Sequence, residues 1–196
     1  MKKIDKNIID ELMSFCDIST FGPGSLLYNP NNFSLNTQLE FLISLLEEIQ
    51  PTHVLETGTE SGMFSYFIKC IIPTVKITTF GMDGTSDGRG LKCVNYLNLK
   101  FGDYINYIEG DSVHTLTNYN TLNNIDFAWI DGGHYDNTPY IDLKNCNRLK
   151  IANICIDDYN LIVDVAKCVD NFLNDYPQYT IKNITNDERG ICHIKL

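Results

Sequence analysis

Between Pro51 and the end of the chain, short apolar runs of strand length alternate with segments of helical period. The runs are about His53–Thr57, Val75–Met82, Tyr104–Glu109, Ile125–Ile130 and Asn153–Ile156. Helices are expected from the glycine loop after the first run to about Ile72, from the Gly-rich loop around Gly88 to about Leu99, over Thr138–Leu149 and over Leu161–Tyr176. Runs such as Phe127-Ala128-Trp129-Ile130 are apolar on both faces, as in strands covered by helices on each side. This alternation predicts an α/β fold with a mostly parallel sheet. The last two strands, about Tyr179–Ile184 and Gly190–Leu196, are too close for a crossover helix and must form an antiparallel hairpin.

The chain of 196 residues has the length of one domain, with residues 34–196 as the α/β core. Residues 1–33 are expected to form a helix over about Ile4–Cys16 and a long turn-rich loop, serving as a lid or covering the sheet. Nothing reaches the roughly 18 consecutive apolar residues that span a membrane, and the apolar pattern of the start is interrupted by Asp5, Asp10 and Glu11. A cytoplasmic protein without a membrane partner is expected. The net charge of −10 argues against a nucleic-acid partner and fits a cationic ligand or a metal. Seven cysteines without a CxxC pair read as small buried hydrophobes in a reducing compartment.

In an open α/β sheet, ligands bind beyond the carboxyl ends of the strands. There the sequence places Glu56, Gly58 and Gly62 after the first strand, Asp83 after the second, and Gly110, Asp111 and Ser112 after the third. Asp131 and His134 follow the fourth strand, and Asp157 and Asp158 the fifth. Each strand delivers an acid to one rim. Single acids at such positions are ordinary helix caps, and Asp111 suits a helix beginning near Val113, but five in register point to a site. A dinucleotide fingerprint starting at Gly58 needs glycine at positions 60 and 63, where the chain has Glu60 and Met63. Glu56 and Glu60 would repel a pyrophosphate and welcome a cation. S-adenosylmethionine (SAM) carries a sulfonium and an ammonium group and no phosphate. Asp83 stands where a carboxylate takes two ribose hydroxyls, and Asp111-Ser112 where a side-chain oxygen and an amide read an adenine edge.

Val54-Leu55-Glu56-Thr57-Gly58-Thr59-Glu60-Ser61-Gly62, Gly110-Asp111-Ser112 and Ile130-Asp131-Gly132-Gly133-His134 resemble the motifs of class I SAM-dependent methyltransferases. The nearest resemblance is to the small branch of macrocin O-methyltransferase-like and cephalosporin-methoxylation-like enzymes. It covers about residues 35–196. The chain departs from the wider pattern at Thr59, where many such enzymes have a further glycine, and in a short terminal hairpin without an insertion. The resemblance implies a seven-stranded sheet of order 3-2-1-4-5-7-6. It also implies a SAM site at Glu56, Gly58, Thr59, Gly62, Asp83, Gly110, Asp111, Ser112 and Asp131, with Glu56 on the methionine amine side. The implied reaction is O-methylation of a small-molecule or sugar-like acceptor. A catalytically silent methyltransferase-like binding or assembly module is the alternative.

In that strand order the fourth and fifth strands are neighbours, about 4.8 Å apart. Asp131 then comes close to Asp157 and Asp158, and a divalent cation, Mg²⁺ by its preference for oxygen ligands, would relieve their repulsion. Consecutive residues in an extended chain point opposite ways, so two of the three acids are enough to bind it. Asp131 and His134 are the candidate catalytic residues, with His134 or a carboxylate taking the acceptor's proton. Tyr28 and Arg89, in polar loops near the rim, are weaker candidates for substrate contact.

Overall fold

The computed structural model describes residues 4–15, 37–83 and 88–196. The elements are α1 (Lys6–Ser14), α2 (Thr37–Ile49), β1 (His53–Thr57), α3 (Met63–Ile71), β2 (Lys76–Gly81), α4 (Arg89–Phe101), β3 (Ile105–Glu109), α5 (Ser112–Asn118), β4 (Phe127–Ile130), α6 (Thr138–Arg148), β5 (Asn153–Ile156), α7 (Val163–Asp175), β6 (Thr180–Ile184) and β7 (Cys192–Lys195). They build one seven-stranded sheet of order β3-β2-β1-β4-β5-β7-β6. β1 to β5 pair in parallel, and β7 runs antiparallel to both β5 and β6. This is the expected fold class, including the terminal hairpin.

The central strands are buried on both faces, and their alternating side chains separate two cores. Val54, Ile77, Phe127, Trp129 and Cys155 face one side with α1 to α4, while Leu55, Phe80, Ala128, Ile130 and Ile154 face the other with α5 to α7. All nine residues of α3 are buried, and Phe64 stacks on Trp129 with ring centroids 4.8 Å apart. Burial on every side holds α3, and therefore the loop that precedes it, in one place.

α1 belongs to the first core. Ile8, Ile9 and Leu12 are buried, Asp5 caps the helix by accepting from the Asn7 amide, and the Asp5 amide donates to Tyr66 Oη of α3 at 2.7 Å. Of residues 1–33, then, the described part packs on α3 and α4. The remainder, with Tyr28 and any lid, lies outside the described residues, as do residues 84–87 of the Gly-rich loop. No helix among the described residues is long and apolar enough to cross a membrane. Six cysteines, Cys70, Cys93, Cys146, Cys155, Cys168 and Cys192, are free and buried, as expected of small apolar residues. Cys16 lies outside the described residues.

Candidate active site

The loop after β1 is folded by two glycines. Gly58 has φ +89°, its amide donates to the Phe80 carbonyl at 2.9 Å, and a Cβ there would run into the Asp131 backbone carbonyl. A residue without a side chain lets the β1 and β4 loops lie against each other. Gly62, at φ +66°, opens α3, and its amide closes the loop by donating to the Thr59 carbonyl at 2.7 Å. Thr59 is buried and shares a 2.6 Å hydrogen bond with Thr79 of β2. Glu60 pairs with Arg89 at 3.6 Å across the loop, so Arg89 is placed at the rim in an ion pair.

Glu56 lies beneath this loop at 1 % exposure, where its Oε2 accepts a 2.6 Å hydrogen bond from Ser65 Oγ of α3. Burial pushes its carboxyl up to about 8, against hydrogen bonds from Ser65 and Thr79. Its side chain does not line the cleft above it, and neither does Gly62.

That cleft, of about 440 Å³, runs along the carboxyl ends of β1 to β4. Gly58, Thr59, Asp83, Gly110, Asp111, Ser112 and Asp131 line it, bringing together seven of the nine expected cofactor residues. Two of its acids also hold the first turns of helices. Asp83 accepts from the Gly90 and Leu91 amides at 2.9 Å each, and Asp111 caps α5 by accepting from Val113 N at 2.9 Å. Both carboxylates are thereby fixed in direction, with remaining lone pairs open to a ligand. Phe80, Met82, Tyr107, Gly132, Gly133 and Thr138 complete the walls. Tyr107 donates to the Gly81 carbonyl at 3.1 Å and stands over Asp83. Tyr107 is not recognisable as a site residue in the sequence, because a tyrosine in an edge strand carries no site signal.

Beyond Asp131 the rim turns acidic. His134 Nε2 is 3.4 Å from Asp131 Oδ1 and 3.5 Å from Asp158 Oδ2, and the three ligand atoms lie within 4.8 Å of one another. Burial opposes protonation of His134, but the hydrogen bond and charge of Asp131 and the charges of Asp158 and Asp157 outweigh it and raise the imidazole. Of the three acids expected to share a cation, the structure brings Asp131 and Asp158 together with His134. Asp157 is not among those converging ligand atoms. It accepts from Gln38 of α2 at 3.3 Å and pairs with Arg189 at 3.1 Å. Asp158, at φ +59°, bends the chain so that both carboxylates meet one Arg189 guanidinium nitrogen, while Asp158 Oδ2 also faces His134. Neither caps α7, whose N-cap is Ile162.

Arg189, absent from the sequence-based set, also reaches Asp158 at 2.8 Å. The β6–β7 loop aims it. Asp187 Oδ1 accepts from the Arg189 and Gly190 amides, and Asn160 Nδ2 donates to the Thr185 and Asp187 carbonyls. A lone arginine in a hairpin turn gives no hint of this in sequence, because the contact spans more than 30 residues.

No family model matches the chain, and no curated protein matches it in sequence. Solved structures do match in shape. The O-methyltransferase from Bacillus cereus in complex with SAH (S-adenosylhomocysteine) superposes with TM-score 0.72 at 15% identity, covering 99% of this chain and 92% of that one. The O-methyltransferase TomG from Streptomyces achromogenes, in complex with SAM, gives 0.71 at 14% over 100% and 92%. The SAH-bound methyltransferase PaMTH1 from Podospora anserina gives 0.69 at 15% over 98% and 88%. The strand order, the terminal hairpin and these superpositions agree that the chain has the Rossmann-like fold of class I methyltransferases.

Proposed function

We propose that this chain is a SAM-dependent methyltransferase acting on an oxygen of a small-molecule or sugar-like acceptor. The observation that carries the reading is one continuous rim. A cleft with a glycine floor, fixed carboxylates at Asp83 and Asp111, and a volume within the range of cofactor sites meets an acid–imidazole cluster at Asp131. The adenosyl part of SAM would lie between Asp83 and Ser112, with the sulfonium directed toward Asp131. SAM bound to the fold neighbours TomG, and SAH bound to the Bacillus cereus enzyme, support the same reading.

In the transfer, the acceptor oxygen forms a bond to the methyl carbon while the carbon–sulfur bond breaks, leaving neutral SAH. The acceptor's proton must leave, and neutral His134 is placed to take it on Nε2. Asp131 and Asp158 then hold the imidazolium. The donor set also fits a divalent cation, because two carboxylate oxygens and an imidazole nitrogen converge within 4.8 Å. Asp131 and Asp158 would hold Mg²⁺, which supplies polarisation of the acceptor oxygen when bound. The Nε2 lone pair serves one purpose at a time, and this reading gives it the proton. A silent binding module would need the cleft but not this cluster, so the cluster favours an enzyme.

Titration calorimetry with SAM, SAH and NAD, followed by a screen of acceptors with labelled methyl donor, tests the reading. Binding of SAM and SAH with label transferred to oxygen is expected. Binding of NAD alone would overturn it, and SAM binding without transfer to any acceptor would favour the silent module.

A further inference from the structure

Asp142 of α6 is fully enclosed, at 0 % exposure, and the chemistry above gives it no task. It lies behind the cleft wall where three elements meet. Its Oδ2 accepts from Ser112 Oγ, at the start of α5, at 3.2 Å. A Cβ on Gly132, in the loop after β4, would stand 3.5 Å from the same oxygen. The Thr57 hydroxyl at the end of β1 faces the carboxyl without a hydrogen bond of standard geometry, and Oδ1 has no hydrogen-bond partner among the described residues. A buried carboxyl half used in this way is costly unless it does something.

Its consequence falls on Ser112, which lines the cleft. A hydroxyl has one proton to give and two lone pairs, whereas an ionised carboxylate only accepts. While Asp142 is ionised, the Ser112 proton is therefore committed to it, and Oγ can offer a ligand only lone pairs. Adenine and hypoxanthine differ at that kind of contact. The 6-amino group donates, and the 6-oxo group can only accept and would face Ser112 oxygen to oxygen.

We propose that Asp142 is a positioning residue that holds Ser112 as a hydrogen-bond acceptor, so that the cleft selects a ligand carrying a 6-aminopurine over its 6-oxo counterpart. The inference rests on the reading that the adenosyl end of SAM lies against Asp111 and Ser112. If Asp142 only ties α6 to α5, its loss weakens both ligands equally.

The experiment measures Kd for SAH and for its 6-oxo analogue, S-inosylhomocysteine, by calorimetry at pH 8.5. That pH lies above the value of about 7 to which burial raises Asp142, so the carboxyl is ionised. The parent is expected to prefer SAH by about tenfold or more, as sites built around a ligand hydrogen bond do. In Asp142→Asn the amide can donate to Ser112 Oγ and free the hydroxyl proton. The preference should then fall to within about threefold of unity without weakening the 6-oxo ligand. Ser112→Ala should lose the preference likewise, and the double variant should lose no more. A folded Asp142→Asn protein that keeps the parent's ratio overturns the proposal. If that variant does not fold, Ser112→Ala keeping the ratio overturns it equally. A parent that binds neither ligand removes the adenosyl reading and this proposal together, whereas a parent that binds both without preference removes this proposal alone.

Discussion

The Glu56 carboxyl keeps a proton in the folded chain that it would lose when exposed. Burial raises it from 4.5 to about 8, with the charge of Asp131 adding to the rise. The folded state is therefore favoured fully below pH 4.5 at this group, and that advantage is lost as pH climbs to about 8. Glu56→Gln should flatten the pH dependence of stability between pH 5.5 and 8, by on the order of 1 kcal/mol per unit. Urea midpoints at the two pH values check this, and an unchanged slope would place the titration elsewhere. His134 carries the opposite charge logic. In metal-free protein its imidazole should titrate above the ordinary 6.5 by NMR, because its carboxylate neighbours outweigh its burial. Adding Mg²⁺ should lower that value, since a cation held by Asp131 and Asp158 repels a second positive charge. No movement with Mg²⁺ would leave the cluster without a metal. At this scale the acids were legible as a set, because each follows a strand. Their individual directions were not. Asp83 and Asp111 hold the first turns of helices and line the cleft at once, and Asp158 but not Asp157 reaches His134 through a backbone turn that no residue type announces.

The loop between β1 and α3 is held by what lies on either side of it. β1 and α3 are buried almost throughout, and Gly58 is the point where the β1 and β4 loops touch. Gly58→Ala adds a methyl that meets the Asp131 carbonyl at a φ of +89°, so both space and backbone oppose it. A stability loss of about 1–3 kcal/mol is expected, together with loss of SAM binding because Asp131 must move. Thermal unfolding and calorimetry read the two effects. A variant that binds as the parent does would separate the loop from the cofactor. Strand carboxyl ends were legible because apolar alternation stops there. The beginnings were less so. Ile125 is buried, yet β4 starts only at Phe127, because the Asp126 carboxylate is taken up by the Thr52 amide and hydroxyl and the His53 amide. α7 starts at Val163 rather than Leu161, since the chain is still turning, with the Leu161 amide donating to the Asp158 and Arg189 carbonyls. Strand order is a different matter. Period and composition say which residues are buried on two faces but not which strand lies beside which. The order came from motif resemblance.

Over the whole molecule the charge is unbalanced, with 25 acidic residues against 15 basic ones, and the strand ends gather acids at one rim. Such a surface raises the local concentration of cations and lowers that of anions. SAM carries one net positive charge more than SAH, so the field distinguishes two ligands that differ by a single methyl group. At about 20 mM salt the Debye length exceeds 20 Å and the whole rim acts on the sulfonium, whereas near 0.5 M it is under 5 Å and only contact neighbours remain. The ratio of the SAH to the SAM dissociation constant should therefore fall as salt rises, by roughly two- to fivefold across that range. NAD, which carries a pyrophosphate, should bind worst where the field is least screened. Calorimetric titrations of SAM and SAH at four salt concentrations measure the ratio directly. A ratio that does not move would mean that the methyl-bearing sulfur is held by local contacts alone, and that the acidic excess serves solubility rather than cofactor capture.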